Sequence, residues 1–467
     1  MRSLGLGVLA TMVAIPPGVV VALFLERTRT VCWRHVVLPL AVVPLLLPPA
    51  VLAYAVGRFF SGPSVAVGTA VIRLPGGQLF GAALVLASSY WPLVMLSTMA
   101  GLRQASRELE DFAMTHTGQW RTLWCVTLAD VKGYVFVGGA LVFLMSCADY
   151  GVPHLFGLTV YPTAMLSAAA ISYGAVSSAP VALPFVVVVG IAAWYGRGVF
   201  RDKTAFTSSG QSYGSGQRLS RIWLGFFVIV VIGATVIWPM VSLASGSGGF
   251  RSFGTAAVAL SQKAKGSFVA AWWSAGVGTL VALVTSLALK RNGRIRECVS
   301  WAGLCALAVP GWLLAGGLIS LYNRSFPLGL VYSSIALPVL AYIARFFYVP
   351  WLLSTVALDR IDDALVEAGR LDGAGDWRLF WNLTLPVVAP ALFAGWLIQF
   401  FLSAGEMAMS VLVERAGSPL LSKSLLNLMH YGRDKTLNAS CFLMMLVVVA
   451  GCALLVMVFR LMDIGER

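Results

Sequence analysis

The residues able to do chemistry in this chain form a scattered set and a clustered one. Scattered are four histidines, His35, His116, His154 and His430, and seven cysteines, Cys32, Cys125, Cys147, Cys298, Cys305, Cys441 and Cys452. Neither set has the paired spacing of a metal site or a disulfide framework. No metal site is expected, and the cysteines read as small buried hydrophobes. No GxxxxGK[ST] segment is present to cradle a nucleotide, and no nucleophile and base recur at matching depth. Clustered are the ionic residues of the stretch 359–386, DRIDDALVEAGRLDGAGDWRLFWNLTLP: Asp359, Arg360, Asp362, Asp363, Glu367, Arg370, Asp372, Asp376 and Arg378. Between them Ile361, Ala364, Leu365, Ala368 and Leu371 keep a helical spacing. Gly373 and Gly375 permit a sharp turn. A second short helix, Asp376 to Leu383, then leads to Pro386, whose missing N–H is tolerated in a first helical turn. A helix, a glycine turn and a helix joined to a longer helix make a knob suited to a socket on a partner.

Composition dictates what must carry this knob. Of the 467 residues 59% are hydrophobic and 11% charged, against about 25% charged in soluble domains. Uncharged runs of roughly 20 residues recur, the length a helix needs to cross a hydrocarbon layer of about 30 Å. The fold class expected is therefore an all-α polytopic membrane protein. The run Leu4 to Leu25 is too long for a secretory signal core and lacks a small-residue cleavage site, so it reads as a retained helix. Further spans are Val36 to Gly57, Leu79 to Gly101, Gly133 to Ala148, Val176 to Trp194, Ile222 to Ala244, Ser267 to Leu289, Val299 to Leu321, Leu328 to Phe347, Val387 to Gly405 and Ala439 to Phe459, eleven in all. The stretch before Val176 reads as a short outer-face or re-entrant segment. A net charge of +14 in so apolar a chain indicates juxtamembrane Arg and Lys facing anionic lipid, not nucleic-acid binding. Every second loop is the arginine-rich one, as after Arg27, Arg103, Arg197, Lys290 and Arg360. The positive-inside rule then places the amino terminus outside and the carboxyl terminus, after Arg460, in the cytoplasm.

The Gly-, Ser- and Gln-rich segment 197–221 reads as a flexible cytoplasmic linker between a first domain, 1–196, with five helices and a second, 222–467, with six. The halves repeat. At a shift of 257 residues Arg103 falls on Arg360, Glu110 on Glu367, Gly118 on Gly375, Trp120-Arg121 on Trp377-Arg378, Thr127-Leu128 on Thr384-Leu385, and Asp149 on Glu406. An even number of spans separates the two loops, so the halves run parallel, related by a pseudo-twofold axis along the membrane normal. Leu4 to Leu25 corresponds to Ser261 to Ala282, so either a peripheral first helix is absent from the first half or the chain's start lies upstream.

Glu367-Ala368-Gly369, three residues, Gly373, nine residues and Leu383-Thr384-Leu385-Pro386 resemble the EAA loop of permease subunits of binding-protein-dependent ABC importers. The pattern in that family is Glu-Ala-Ala, three residues, Gly, nine residues and Ile-x-Leu-Pro. The fused two-domain arrangement is similar to the iron(III) and thiamine permease branch. Tyr90-Trp91-Pro92, Tyr348-Val349-Pro350 and Asp149-Tyr150-Gly151-Val152-Pro153 also fit that branch. The resemblance implies a bacterial cytoplasmic (inner) membrane protein without catalytic residues or a cofactor of its own. ATP and Mg would be bound by two copies of an ABC ATPase subunit, and an extracytoplasmic binding protein would deliver cargo, with iron(III) the leading expectation and thiamine, polyamine or a phosphonate the alternatives. It also implies two ATPase-docking loops, one with Glu367, Ala368, Gly369, Gly373, Gly375, Leu385 and Pro386, the other with Glu110, His116, Gly118 and Leu128. In the first loop Asp111-Phe112 replaces Ala-Ala, His116 takes the place of the glycine and Ala129 that of the proline, so Gly118 is expected to supply the turn and the docking to be weaker.

Asp149 and Glu406 stand at equivalent outer span ends, where a substrate portal and local helix-end hydrogen bonding are both open. Pro16-Pro17, Pro48-Pro49, Pro239, Pro310 and Pro338 read as kinks, with gating hinges the minority reading. An ion-coupled secondary transporter would need ionisable residues near mid-span, and an intramembrane enzyme or scaffold a recurring reactive pair.

Overall fold

A computed structural model of the chain describes residues 2–27, 31–60, 77–105, 107–164, 187, 190–191, 218–414, 420–431 and 435–465. All but residues 187 and 190–191 of the expected span Val176 to Trp194, and all but 218–221 of the linker 197–221, lie outside the described residues.

In chain order the helices are α1 (Arg2–Arg27), α2 (Val31–Leu46), α3 (Pro49–Phe60), α4 (Gly77–Gln104), α5 (Arg107–Thr117), α6 (Gln119–Thr122), α7 (Leu128–Ala148), α8 (Gly151–Leu155), α9 (Arg218–Ile232), α10 (Trp238–Gly246) and α11 (Phe250–Leu289). They continue as α12 (Gly293–Ala308), α13 (Gly311–Tyr322), α14 (Leu328–Tyr332), α15 (Ala336–Phe346), α16 (Tyr348–Leu358), α17 (Asp363–Leu371), α18 (Asp376–Leu379), α19 (Leu385–Gly405), α20 (Ser410–Val413), α21 (Leu421–Tyr431) and α22 (Lys435–Gly465). Single π-helical turns at Leu123–Thr127, Gly233–Ile237 and Phe380–Thr384 join flanking helices. No strand occurs among the described residues. Among the described residues seven helices are long and apolar enough to cross a membrane, or up to ten if each bent pair is one span. The chain is an all-α, polytopic membrane protein.

Two spans expected to run unbroken are broken. Val36 to Gly57 is α2 and α3 meeting at 94°, and Val299 to Leu321 is α12 and α13 meeting at 107°. The breaks fall at Pro48 and Pro310, where the missing N–H and the ring prevent the helix from continuing. Pro16 and Pro17, by contrast, sit inside an uninterrupted α1. The ninth span also differs. It runs through α15 and α16, bent by 50°, because apolar Tyr348-Val349-Pro350 puts Pro350 in the first turn of α16, where it is tolerated.

The described residues form two compact units, one drawn from those within 2–252 and 435–445, the other from those within 253–431 and 446–465. These units cut across the two sequence halves, since α9 and α10 pack with the first. A Cβ on Gly225 would lie 3.4 Å from the Phe24 ring, and Ser242 Oγ donates to the Ala55 carbonyl at 3.0 Å. Within the first unit α1, α4 and α7 pack together. A Cβ at Gly138 would stand 2.7 Å from Val94 Cα, so backbones touch. Such close contact drives helix association where the solvent is as apolar as the side chains. The second unit holds the corresponding helices by an amide. Gln399, fully buried in α19, donates to the Ser274 carbonyl at 2.9 Å and to Ser274 Oγ at 3.2 Å on α11. Gly278 leaves space for the amide, whereas the repeat places Val142 and Val21 at the matching first-half positions.

Candidate functional site

Both expected docking loops form a helix, a turn, a short helix and a π turn leading into a spanning helix. The π turns, Leu123–Thr127 and Phe380–Thr384, coincide at the 257-residue shift. The second short helix therefore does not end before Pro386 but runs continuously from Asp376 to Gly405. Pro386 is exposed near the start of α19. The first loop makes the same π turn with Ala129 in place of proline, so the proline is not its cause.

The turns differ. In the second loop α17 starts on Asp362, whose side chain accepts from the Ala364 N–H at 3.0 Å. It ends where Gly373 adopts φ 82°. There the Gly373 N–H bonds the Arg370 carbonyl at 3.0 Å and the Ala374 N–H bonds the Gly369 carbonyl at 3.0 Å, the pair of bonds that closes a helix on a left-handed glycine. Gly375 has φ −69° and begins α18. In the first loop α5 runs through His116 to Thr117, and the positive φ, 74°, with ψ 164°, moves to Gly118. That conformation is essentially restricted to glycine. His116 is thus exposed inside a helix, its ring 4.7 Å from that of Phe112, and needs no unusual backbone.

The two glutamates also have opposite surroundings. Glu110 is 4% exposed and accepts from Arg27 Nη2 at 2.7 Å and from Thr127 Oγ1 at 2.9 Å, tying the loop to the end of α1 and to its own π turn. Glu367 and Ala368 are exposed on α17, Gly369 half-buried, and Leu128 and Leu385 half-buried at the starts of α7 and α19. The second loop is held instead by its flanks. Arg296 meets Asp359 through both terminal nitrogens, Lys290 Nζ donates to Asp363 Oδ1 at 2.8 Å, and Arg370 Nη2 donates to Asp376 Oδ1 at 2.9 Å. The Lys290 hydrogen bond and charge hold the Asp363 carboxyl below the usual carboxylate range.

At the other span ends, Asp149 follows α7 and accepts from the Val152 N–H at 2.9 Å and from Tyr90 OH at 3.5 Å. Glu406 follows α19 and accepts from Arg345 Nη1 at 3.0 Å and from the Met409 N–H at 3.2 Å. Both make the local helix-end bonds that were one of the two open readings. Arg345 and Gly311 belong to this second cluster and were missed. A Cβ at Gly311 would lie 1.9 Å from Arg345 Nη1, so only glycine admits the ion pair there. A charge inside the apolar run Leu328 to Phe347 was the signal for Arg345. Among the described residues no cluster of His, Cys, Asp and Glu could hold a metal ion.

Residues 275–463, which contain the second loop and Glu406, match the family described as binding-protein-dependent transport system inner membrane component. The spermidine/putrescine transport system permease protein PotC of Haemophilus influenzae is 26% identical over 194 residues, 41% of this chain and 73% of that protein. The Fe(3+)-transport system permease protein FbpB 2 of the same species is 22% identical over 396 residues, 79% of this chain and 74% of that protein. The molybdenum transport system permease protein ModB of Escherichia coli is 38% identical over a shorter 56 residues, 12% of this chain and 24% of that protein. Over its second half the chain is thus similar to binding-protein-dependent importer permeases, with no one substrate branch singled out.

Proposed function

We propose that this chain is the transmembrane channel subunit of an ATP-driven importer, and that its role is passage across the membrane, with hydrolysis carried out by partner subunits. The observation that carries this reading is the same element made twice, a helix, a positive-φ glycine turn and a π turn, with the π turns at the same repeat positions and the glycines displaced by two residues. Each such element is fused without a break to a spanning helix of 30 residues, Gln119–Ala148 and Asp376–Gly405, so a push on the knob moves the span. One chain then supplies both docking sites for two ATPase copies. An extracytoplasmic binding protein delivers cargo on the opposite face, with the amino terminus outside and the carboxyl terminus in the cytoplasm. Domains 1–196 and 222–467 are the two permease halves in sequence.

For the cargo, iron(III) is the leading proposal, supported by the length of the match to the Fe(3+) permease, which draws on both halves. A polyamine is the second reading, supported by the PotC match over 73% of that protein. The test is reconstitution in vesicles with the cognate ATPase and binding protein. ATP hydrolysis should rise with loaded binding protein, and native mass spectrometry should give one copy of this chain per two ATPases. Hydrolysis indifferent to this chain would refute the reading. The ligand that the purified binding protein retains decides the cargo.

A further inference from the structure

The second unit contains a cavity of about 800 Å³ between the start of α12 and the face of α16. Three arginines, Arg291, Arg294 and Arg296, and one carboxylate, Glu297, line it, an excess of positive charge even with Arg296 shared with Asp359. Its inner wall holds two polar side chains with unmet bonding capacity. Trp351 is 2% exposed and Thr355 5% exposed, and neither the Trp351 indole N–H nor Thr355 Oγ1 has a hydrogen-bond partner among the described residues. Both atoms lie beneath the cavity surface, so the three arginines are what make it a place for an acceptor-rich ligand. A third wall is apolar and open, with Leu352 40% and Val356 45% exposed.

We propose that this cavity binds a phosphate-bearing anion, with an anionic phospholipid headgroup as the source that the apolar wall favours. The arginines take the phosphate oxygens, as guanidinium forks do. Leu352 and Val356 run beside the acyl chain. Basic pockets between spanning helices on the cytoplasmic side are suited to such headgroups, and the proposed orientation puts Arg291 to Arg296 on that side. The site is also joined to the second docking loop, because Arg296 holds Asp359 immediately before α17. A bound phosphate would compete with Asp359 for Arg296 and so adjust how firmly that loop is rooted.

The test uses the full chain in detergent, with phosphatidylglycerol, phosphatidylcholine and inorganic phosphate as probes, read by native mass spectrometry and by melting temperature. The wild type should retain phosphatidylglycerol about tenfold better than phosphatidylcholine, and R291Q/R294Q should lose that preference. Arg294→Gln alone should weaken it severalfold without changing the melting temperature in lipid-free detergent. If neither lipid is preferred but millimolar phosphate raises the melting temperature of the wild type and not of R291Q/R294Q, the anion site stands with free phosphate as its source. Equal retention of both lipids together with no phosphate effect overturns the proposal, as does a phosphatidylglycerol preference undiminished in R291Q/R294Q. Should the double variant not fold, Arg294→Gln decides alone, and an unchanged preference is fatal.

Discussion

The two proposed docking loops share a repeat position, a π turn and a glutamate, yet the first buries its glutamate and the second presents it. Glu110 is locked between Arg27 and Thr127, whereas Glu367 stands exposed on α17. The shift of 257 residues puts Val284 where the first half has Arg27, so the second glutamate has no such basic partner from its own first helix. A residue kept through a duplication can therefore serve the fold in one copy and be available to a partner in the other.

The largest expected effect breaks this contrast directly. Glu110→Ala removes one partner of a buried ion pair, which typically costs about 3–5 kcal/mol, whereas Glu367→Ala on an exposed face should stay within about 0.5 kcal/mol. Thermal melting in detergent should separate them widely, while cargo-stimulated hydrolysis should fall for Glu367→Ala in protein that is fully assembled. Restoring much of the stability by adding Arg27→Met to Glu110→Ala would identify the buried pair as the cause. Equal melting of the two alanine variants would show that the glutamates do the same work.

Next in size are the glycines, where the loops exchange roles. Gly373 and Gly118 carry the positive φ, 82° and 74°, with nothing within 4 Å of an added Cβ. A side chain there meets backbone strain alone, on the order of 1–2 kcal/mol. Gly373→Val and Gly118→Val should both lower docking, and Gly375→Ala should be nearly silent because Gly375 has φ −69°. Gly375 is the repeat partner of Gly118, so a damaging Gly375→Ala would mean that the turns are alike after all. Binding of the purified ATPase to each variant is the measurement.

Ala129→Pro sharpens the comparison of the π turns. Proline inside a helix usually costs about 3 kcal/mol, but Pro386 occupies the same place after the same π turn, so the loss in melting stability should be a fraction of that. His116→Gly, which the loss of a family glycine makes attractive as a repair, should instead cost up to about 1 kcal/mol, because His116 lies within α5. Docking gained by His116→Gly would contradict the placement of the turn at Gly118. The smallest effect is that of pH on Lys290 and Asp363. The folded carboxyl titrates below its unfolded value of about 3.9, so the contact contributes at pH above that value and is lost as pH falls through the folded one. In NMR the Asp363 midpoint should lie below about 3.9 and return toward it in Lys290→Gln.

Hydrophobic run length and charge spacing were enough to reveal the spanning helices, the repeat and the helix–turn–helix form of the two loops, because each depends on neighbours in sequence. Ten of the eleven expected spans lie in described residues and reappear as continuous helices or bent pairs. Gly118 as the turn of the first loop was legible too, since a glycine lay beside the displaced one. The partners of the acidic residues were not legible. Arg27 and Glu110 are 83 positions apart and Arg345 and Glu406 are 61 apart, and no local pattern states which distant charge will cancel which. Packing decided those, together with the unmet donors of Trp351 and Thr355 and the placement of α9 and α10. In a low-dielectric interior a charge or donor must find its partner in space, whatever its distance along the chain.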